Sequence, residues 1–208
     1  SDVYKRQIVD SIVKIDQLSE KAQQYNYESI AITDSANLFG FLKFYKSVRS
    51  KGIKPIAGAE INHVRDSSSH NEHANLTLIA KNQIGYKNLI KLISKSQIVG
   101  KTSGIPVIET EWLAEHSEGL IALSGGFRGH IGKAVLDTNH DLFLKRIKYF
   151  QKIFKEDFVL EISRINRPQE DIYNDYILSK AGELGLPVVA SNEVRFIDKE
   201  DYEAHETR

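Results

Sequence analysis

Runs of consecutive apolar residues recur along this chain, separated by amphipathic stretches, and they restrict the fold more than any single motif does. The clearest is Leu120, Ile121, Ala122 and Leu123, which follow one another with no polar residue between them. A strand that is apolar on both faces must be covered on both, and helices packed over a parallel sheet do that. Helical spacing predicts helices over residues 15–25, 38–51, 86–97, 130–136, 141–154 and 169–184, with a turn or two over 109–115. Strands are expected over 29–33, 54–61, 75–80, 119–124, 158–162 and 186–190, with 106–108 short and extended. Gly52 and Gly185 stand where helices should stop, and Asp16 stands where one could be capped or enter its first turn. Residues 65–75, rich in Ser, His and Asn, form a solvated excursion between two strands. Six or seven strands suit an open sheet or a closed barrel, and the pattern does not choose between them.

The length of 208 residues suits one domain or a domain and a half, and 41% apolar residues can bury a sizeable core. There is no cysteine, which rules out disulfides and cysteine-bound zinc and fits a reducing cytoplasm. Acids and bases balance at 28 each. With no basic excess, and with Trp112 and the tyrosines not interleaved with a basic cluster, no grip on a nucleic-acid backbone is expected from this part alone. No apolar run approaches the roughly 18 residues of a membrane span, and the polar residues 1–7 make no signal peptide.

In parallel α/β folds, chemistry gathers beyond the C-terminal ends of strands. The polar residues expected there are Asp34, Ser35 and Asn37; Glu60 and His63; Ser124 and Arg128; Arg164 and Asn166; and Asn192, Glu193 and Arg195. Asp34 and Asn37 also suit helix capping. Glu60 closes an otherwise apolar strand, and a buried acid needs a partner, a metal or a proton. Of the histidines, His70 and His73 lie in the polar segment, His116, His140 and His205 in charged or helix-end contexts, and His130 after Gly129; only His63, near Glu60, suits a site. No P-loop, nucleophile elbow or H-E-x-x-H motif occurs. Ser124-Gly125-Gly126 suits a phosphate cradle no better than a tight turn.

Several segments together resemble the PHP (polymerase and histidinol phosphatase) domain of bacterial DNA polymerase III α subunits. They are AITDSANLFG (31–40), FYK (44–46), GIKPIAGAE (52–60), LIAKN (78–82), GYKNL (85–89), EGLIALSGG (118–126), LGLPVVASNEVRF (184–196) and the stretch 201–206. The likeness runs from about residue 8 to the end. Residues 1–7 do not resemble the family's first strand, so the expected organisation is a PHP domain over 8–208, cut at both ends.

The resemblance implies a distorted (β/α)7 barrel whose active members hold metal ions, mainly by histidines, and hydrolyse phosphoesters. Position by position, the chain departs from that ligand pattern. The H-x-H pair is missing; Asp10 stands at a carboxylate position. Ser35 follows Asp34 where a histidine is expected, and Asn75 replaces another. Glu60 and His205 are kept, while Glu193 and Arg195 stand for an aspartate and a histidine. Arg164 lies near a further histidine position. The expectation is a vestigial site, with the arginines Arg195 and Arg164 pairing Glu60, Glu193 and Asp10 in place of metal. No cofactor is expected here; were a metal held, Asp10, Glu60 and His205 would hold it, as zinc or manganese. The family implies three partners: the polymerase core, a proofreading exonuclease subunit, and DNA through a magnesium-dependent parent polymerase. The competing expectation is an active metal-dependent phosphoesterase or 3′–5′ exonuclease. A free-standing phosphatase of amino-acid metabolism fits the polymerase-type motifs least.

Overall fold

A computed structural model describes residues 13–64, 72–102, 104–192 and 194. Asp10, His70, Glu193, Arg195 and His205 lie outside the described residues.

The chain divides into two compact units. The first comprises Ser1–Ile30, Gly40–Pro55 and Asn192–Arg208. In it, α1 (Ile15–Gln24) and α2 (Phe41–Ser50) pack through Ala22, Phe44 and Val48. Asp16 falls in the first turn of α1, and its carboxylate accepts from Ser47 Oγ at 3.3 Å. α2 starts three residues later than the spacing predicts, with Gly40 at its N-cap.

The second unit, Ala31–Phe39 and Ile56–Ser191, holds the main core. Its strands are the body of β2 (Lys54–Val64), β3 (Ala74–Ala80), β4 (Lys101–Thr102), β5 (Ile105–Glu109), β6 (Leu120–Leu123), β7 (Phe158–Ile162) and β8 (Val188–Ala190). Its helices are α3 (Gln83–Ile98), α4 (Thr110–Glu115), α5 (His130–Leu136), α6 (His140–Phe154) and α7 (Glu170–Leu184). The sheet order is β4-β5-β2-β3-β6-β7-β8, with β1 (Ser29–Ile32) pairing β2.

The sheet is mixed, which corrects the expectation of an all-parallel one. β2–β5, β6–β7 and β7–β8 are parallel, but β2–β3, β3–β6 and β4–β5 are antiparallel. The cause for β2–β3 and β4–β5 lies in the connections: a parallel pair needs a long crossover, usually helical, whereas a short link returns the chain antiparallel; β3, so reversed, is then antiparallel to β6 as well. No helix pattern separates β2 from β3. β4 and β5 are joined through Gly104, at φ +83°. A strand over 101–102 is not foreseen by periodicity, being too short to show any.

One sheet face carries Ala59, Ile61, Leu76, Leu78, Leu120, Ala122, Phe158 and Leu160, all buried in the core. α6 meets this core with Phe143, Ile147, Phe150 and Phe154, an i, i+4, i+7, i+11 series on one helix face. Tyr173, Ile177 and Ala181 do the same for α7. Caps appear where short polar residues precede helices: Asn82 accepts from Gly85 N and Asn139 from Leu142 N, each at 3.0 Å. Gly185, in the left-handed region at φ +63°, ends α7 as expected. Glu170, the first residue of α7, is buried and accepts from Ser163 Oγ at 2.6 Å and Ile165 N at 2.8 Å. Burial pushes its carboxyl up, but these hydrogen bonds, with those of Arg167 and Asn166, outweigh that and hold it below the ordinary value.

Candidate functional site

The opposite face of the sheet is mixed, with polar side chains beside apolar ones such as Ile121 and Val159. Side chains alternate along a strand, so Glu60, Asn62, Asn75 and Glu161 share that face while their neighbours enter the core. Around Glu60 the second unit builds a connected polar cluster. Asn75, at the start of β3, donates its amide to Glu60 Oε1 at 3.0 Å. Arg128, after β6, brings Nη2 to 3.7 Å from Glu60 Oε2. The backbone of Ser35 bridges Glu60, with Ala36 N donating to Glu60 O at 2.8 Å. Burial holds the Glu60 carboxyl above the usual carboxylate value; Arg128 pulls it down and Glu161 pushes it up again.

Glu161 is the second anchor. Its Oε2 accepts from Gly125 N at 3.1 Å and its Oε1 from Ser191 Oγ at 2.5 Å. Its backbone is held too. Glu161 N donates to Ser124 Oγ at 2.9 Å, and Tyr173 Oη donates to Glu161 O at 2.8 Å. Tyr173 is wholly buried, and burial pushes its hydroxyl well above the ordinary value. Neither Glu161 nor Ser191 is picked out by sequence reasoning, although the signal was present. Glu161 is a lone carboxylate in an apolar strand, the same oddity that singles out Glu60.

Several other expected residues fall elsewhere. His63 is three residues from Glu60, an odd spacing, so it faces the core. It is fully buried against His130, Tyr149 and Phe150, with Nε2 3.3 Å from Thr110 Oγ1. That corrects its placement beside Glu60. Asn37 is not a helix cap: it accepts from Phe39 N and donates to Ser35 O, closing a turn. Asp34 is half-buried in the same loop, and Arg164, Asn166 and Asn192 are exposed. Ser124 is a buried support for Glu161, and among the described residues the arginine beside Glu60 is Arg128.

The described donors do not fit a metal ion. Both Glu161 oxygens take hydrogen bonds from the protein, Asn75 turns its NH2 toward Glu60, and a guanidinium stands by the other Glu60 oxygen. Among the described residues no three His, Cys, Asp or Glu side chains gather as a metal set. The cluster can hold a positive charge beside a carboxylate that burial pushes toward its neutral form. Replacing Arg128 with Ala is expected to raise the Glu60 titration midpoint further. The stability change should stay under about 1 kcal/mol, because the pair is 39% and 34% exposed. Carboxylate NMR titration checks this; an unchanged or lower midpoint would show that Arg128 does not act on Glu60.

Residues 5–165 match the PHP domain family. The chain is 42% identical to the DNA polymerase III subunit alpha of Vibrio cholerae and 41% identical to that of Escherichia coli K12, over 97% of its length in both cases. It spans only 17% of the length of each of these relatives. In structure it resembles a metal-dependent phosphoesterase of Bifidobacterium adolescentis, with a TM-score of 0.60 and 11% identity over 90% of this chain and 84% of that one. It also resembles an amidohydrolase of Chromobacterium violaceum, with a TM-score of 0.57 and 11% identity over 96% and 93% of the two chains. At such identity these likenesses concern the mixed α/β fold alone. The family pattern covers most of the chain and agrees with the fold, and the chain therefore belongs to the PHP domain family.

Proposed function

We propose that this chain is the N-terminal PHP region of a replicative DNA polymerase III α subunit, acting there as a structural module and not as a hydrolase. The polymerase assignment is supported by its identity to α subunits over 97% of the chain. The non-catalytic role is supported by one observation above all: the Glu60 carboxylate is engaged by Asn75 and Arg128. A fixed guanidinium at that position opposes a metal cation there. In this reading the parent protein is a DNA-directed DNA polymerase of the cytoplasm that uses magnesium in a separate palm. The present region packs against the polymerase core and docks the proofreading exonuclease subunit. Among the described residues no helix is long and apolar enough to cross a membrane.

Metal retention tests the non-catalytic role. The chain is loaded with zinc or manganese, dialysed, and assayed for bound metal and for hydrolysis of p-nitrophenyl phosphate and of single-stranded DNA 3′ ends. The expected result is well under one equivalent of metal and no hydrolysis. Retention of about one equivalent or more, with hydrolysis that Glu60→Gln abolishes, would replace this reading with the phosphoesterase or exonuclease one.

A further inference from the structure

The overall charge balance conceals a segregation. From Ser35 to Ala59 the chain has Lys43, Lys46, Arg49, Lys51 and Lys54 and no acid. The first unit gathers these on α2 and the start of β2. Phe44 and Val48 point inward, leaving Leu42, Lys43, Tyr45, Lys46, Arg49 and Ser50 exposed around the outer arc of the helix. The Arg49 guanidinium lies 5.7 Å from the centre of the Tyr45 ring. α1 runs alongside in the same direction, since Ser19 meets Ser47 at 2.8 Å and Gln23 meets Lys51 at 3.5 Å. That brings the end of α1 to the basic end of α2, and Lys54 N donates to Glu28 O at 2.9 Å. At this end Tyr25 and Tyr27 are 60% and 54% exposed, with ring centres 6.1 Å apart. Cations and exposed aromatic rings are therefore interleaved on one unit, which corrects the expectation from the sequence that they are not.

Helix stability does not account for the pattern. Cations favour the C-terminal end of a helix. That accounts for Arg49, but Lys43 sits in the first turn of α2, which holds no acid, and Lys46 near its middle. Exposed tyrosines have no role in an ordinary solvated face. A polyanion carrying flat rings uses both features, its phosphates meeting Lys and Arg and its bases stacking on Tyr. An acidic protein would use the charges and leave the rings idle.

We propose that the outer face of α2, with Lys46, Arg49 and Lys54 and the tyrosines Tyr25, Tyr27 and Tyr45, is a contact surface for single-stranded nucleic acid. The surface shares no residue with the Glu60 cluster and does not depend on whether that cluster holds metal. Its test therefore succeeds or fails independently of the metal test.

The probe is a fluorescein-labelled oligo-dT of about 20 nucleotides, titrated with the full 208-residue chain and followed by anisotropy at several salt concentrations. Binding is expected to weaken as salt rises. Lys46→Gln/Arg49→Gln/Lys54→Gln, which keeps the side-chain stems, should bind tenfold or more weakly. Its log–log salt slope should be shallower by about 2, from the loss of three phosphate contacts. Tyr25→Ala/Tyr27→Ala should bind fivefold or more weakly at an unchanged slope. Circular dichroism confirms that these exposed changes leave the fold intact. The proposal is overturned if the wild type does not bind at low salt, or if either variant binds as the wild type does. It is also overturned if polyglutamate competes as well as unlabelled oligo-dT, which would mark the face as one for acidic proteins.

Discussion

Replacing Gly125 with alanine is expected to remove about 3 kcal/mol or more of stability, one of the largest losses a single methyl group can cause here. Gly125 sits after β6 at φ +77°, where an L side chain is strained by about 1–2 kcal/mol. A Cβ there would also stand 2.1 Å from the carbonyl oxygen of Asn75 and 2.7 Å from its carbonyl carbon. Both are backbone atoms, so no flexible side chain can yield. Two strands' ends would have to separate, and the consequences reach the site. Gly125 N would leave Glu161 Oε2, and the displaced Asn75 would carry its amide away from Glu60. Gly52→Ala is the control. Its φ is +75°, but nothing lies within 4 Å of the added carbon, so only the backbone strain of about 1 kcal/mol applies. For a domain of this size, thermal melts should show Gly125→Ala lower by about 6–12 °C and Gly52→Ala by about 2–4 °C. Equal shifts for the two variants would show that the close approach of Gly125 to Asn75 is not made.

The contrast between these glycines shows what a sequence exposes and what it hides. Gly52 and Gly185 are legible because they follow helical periodicity, a local signal. Gly125 stands in a Ser-Gly-Gly run that suits several turns, and its role depends on Asn75, fifty residues earlier. The strand Phe158–Ile162 emerges with its predicted limits because a compact apolar run has sharp edges. The direction of strand pairing is not in the runs themselves, and the lack of a helical pattern in the sequence between β2 and β3 is a trace of it. Strand parity alone separates His63 from Glu60 and puts Glu161 on the face that carries Glu60. Glu60, Asn75, Ser35 and Arg128 are all within the expected set, and the fold joins them. The resemblance marks Glu60 as a kept ligand position and Asn75 and Ser35 as altered ones, whereas Arg128 is suggested only by its place after a strand.

His63 should make the protein acid-sensitive well above the range where carboxylates titrate. The ring is fully buried in the core. Burial, the larger cause, and the neighbouring His130 together lower its pKa from 6.5 to about 3. Four groups face it: Thr110 at Nε2, the edge of His130 at 5.0 Å between centres, and the rings of Tyr149 and Phe150. None is an acid that could neutralise an imidazolium, and Nδ1 has no hydrogen-bond partner among the described residues. The fold therefore admits only the neutral ring, while the unfolded chain can protonate it. Stability is complete above pH 6.5 and falls as pH drops from there toward 3, by about 1.4 kcal/mol per pH unit. By pH 5 the loss is about 2 kcal/mol. Glu60 acts in the opposite sense, since its raised carboxyl is favoured by acid. Glu170, whose carboxyl is lowered, adds to the loss only at more acidic pH. Denaturant unfolding of the wild type and of His63→Phe at pH 7.5 and pH 5 separates these contributions. Phenylalanine suits the aromatic surroundings and cannot take up a proton. The wild type should lose about 2 kcal/mol more than the variant between the two pH values. The same loss in both would place the acid sensitivity elsewhere and remove His63 as its source.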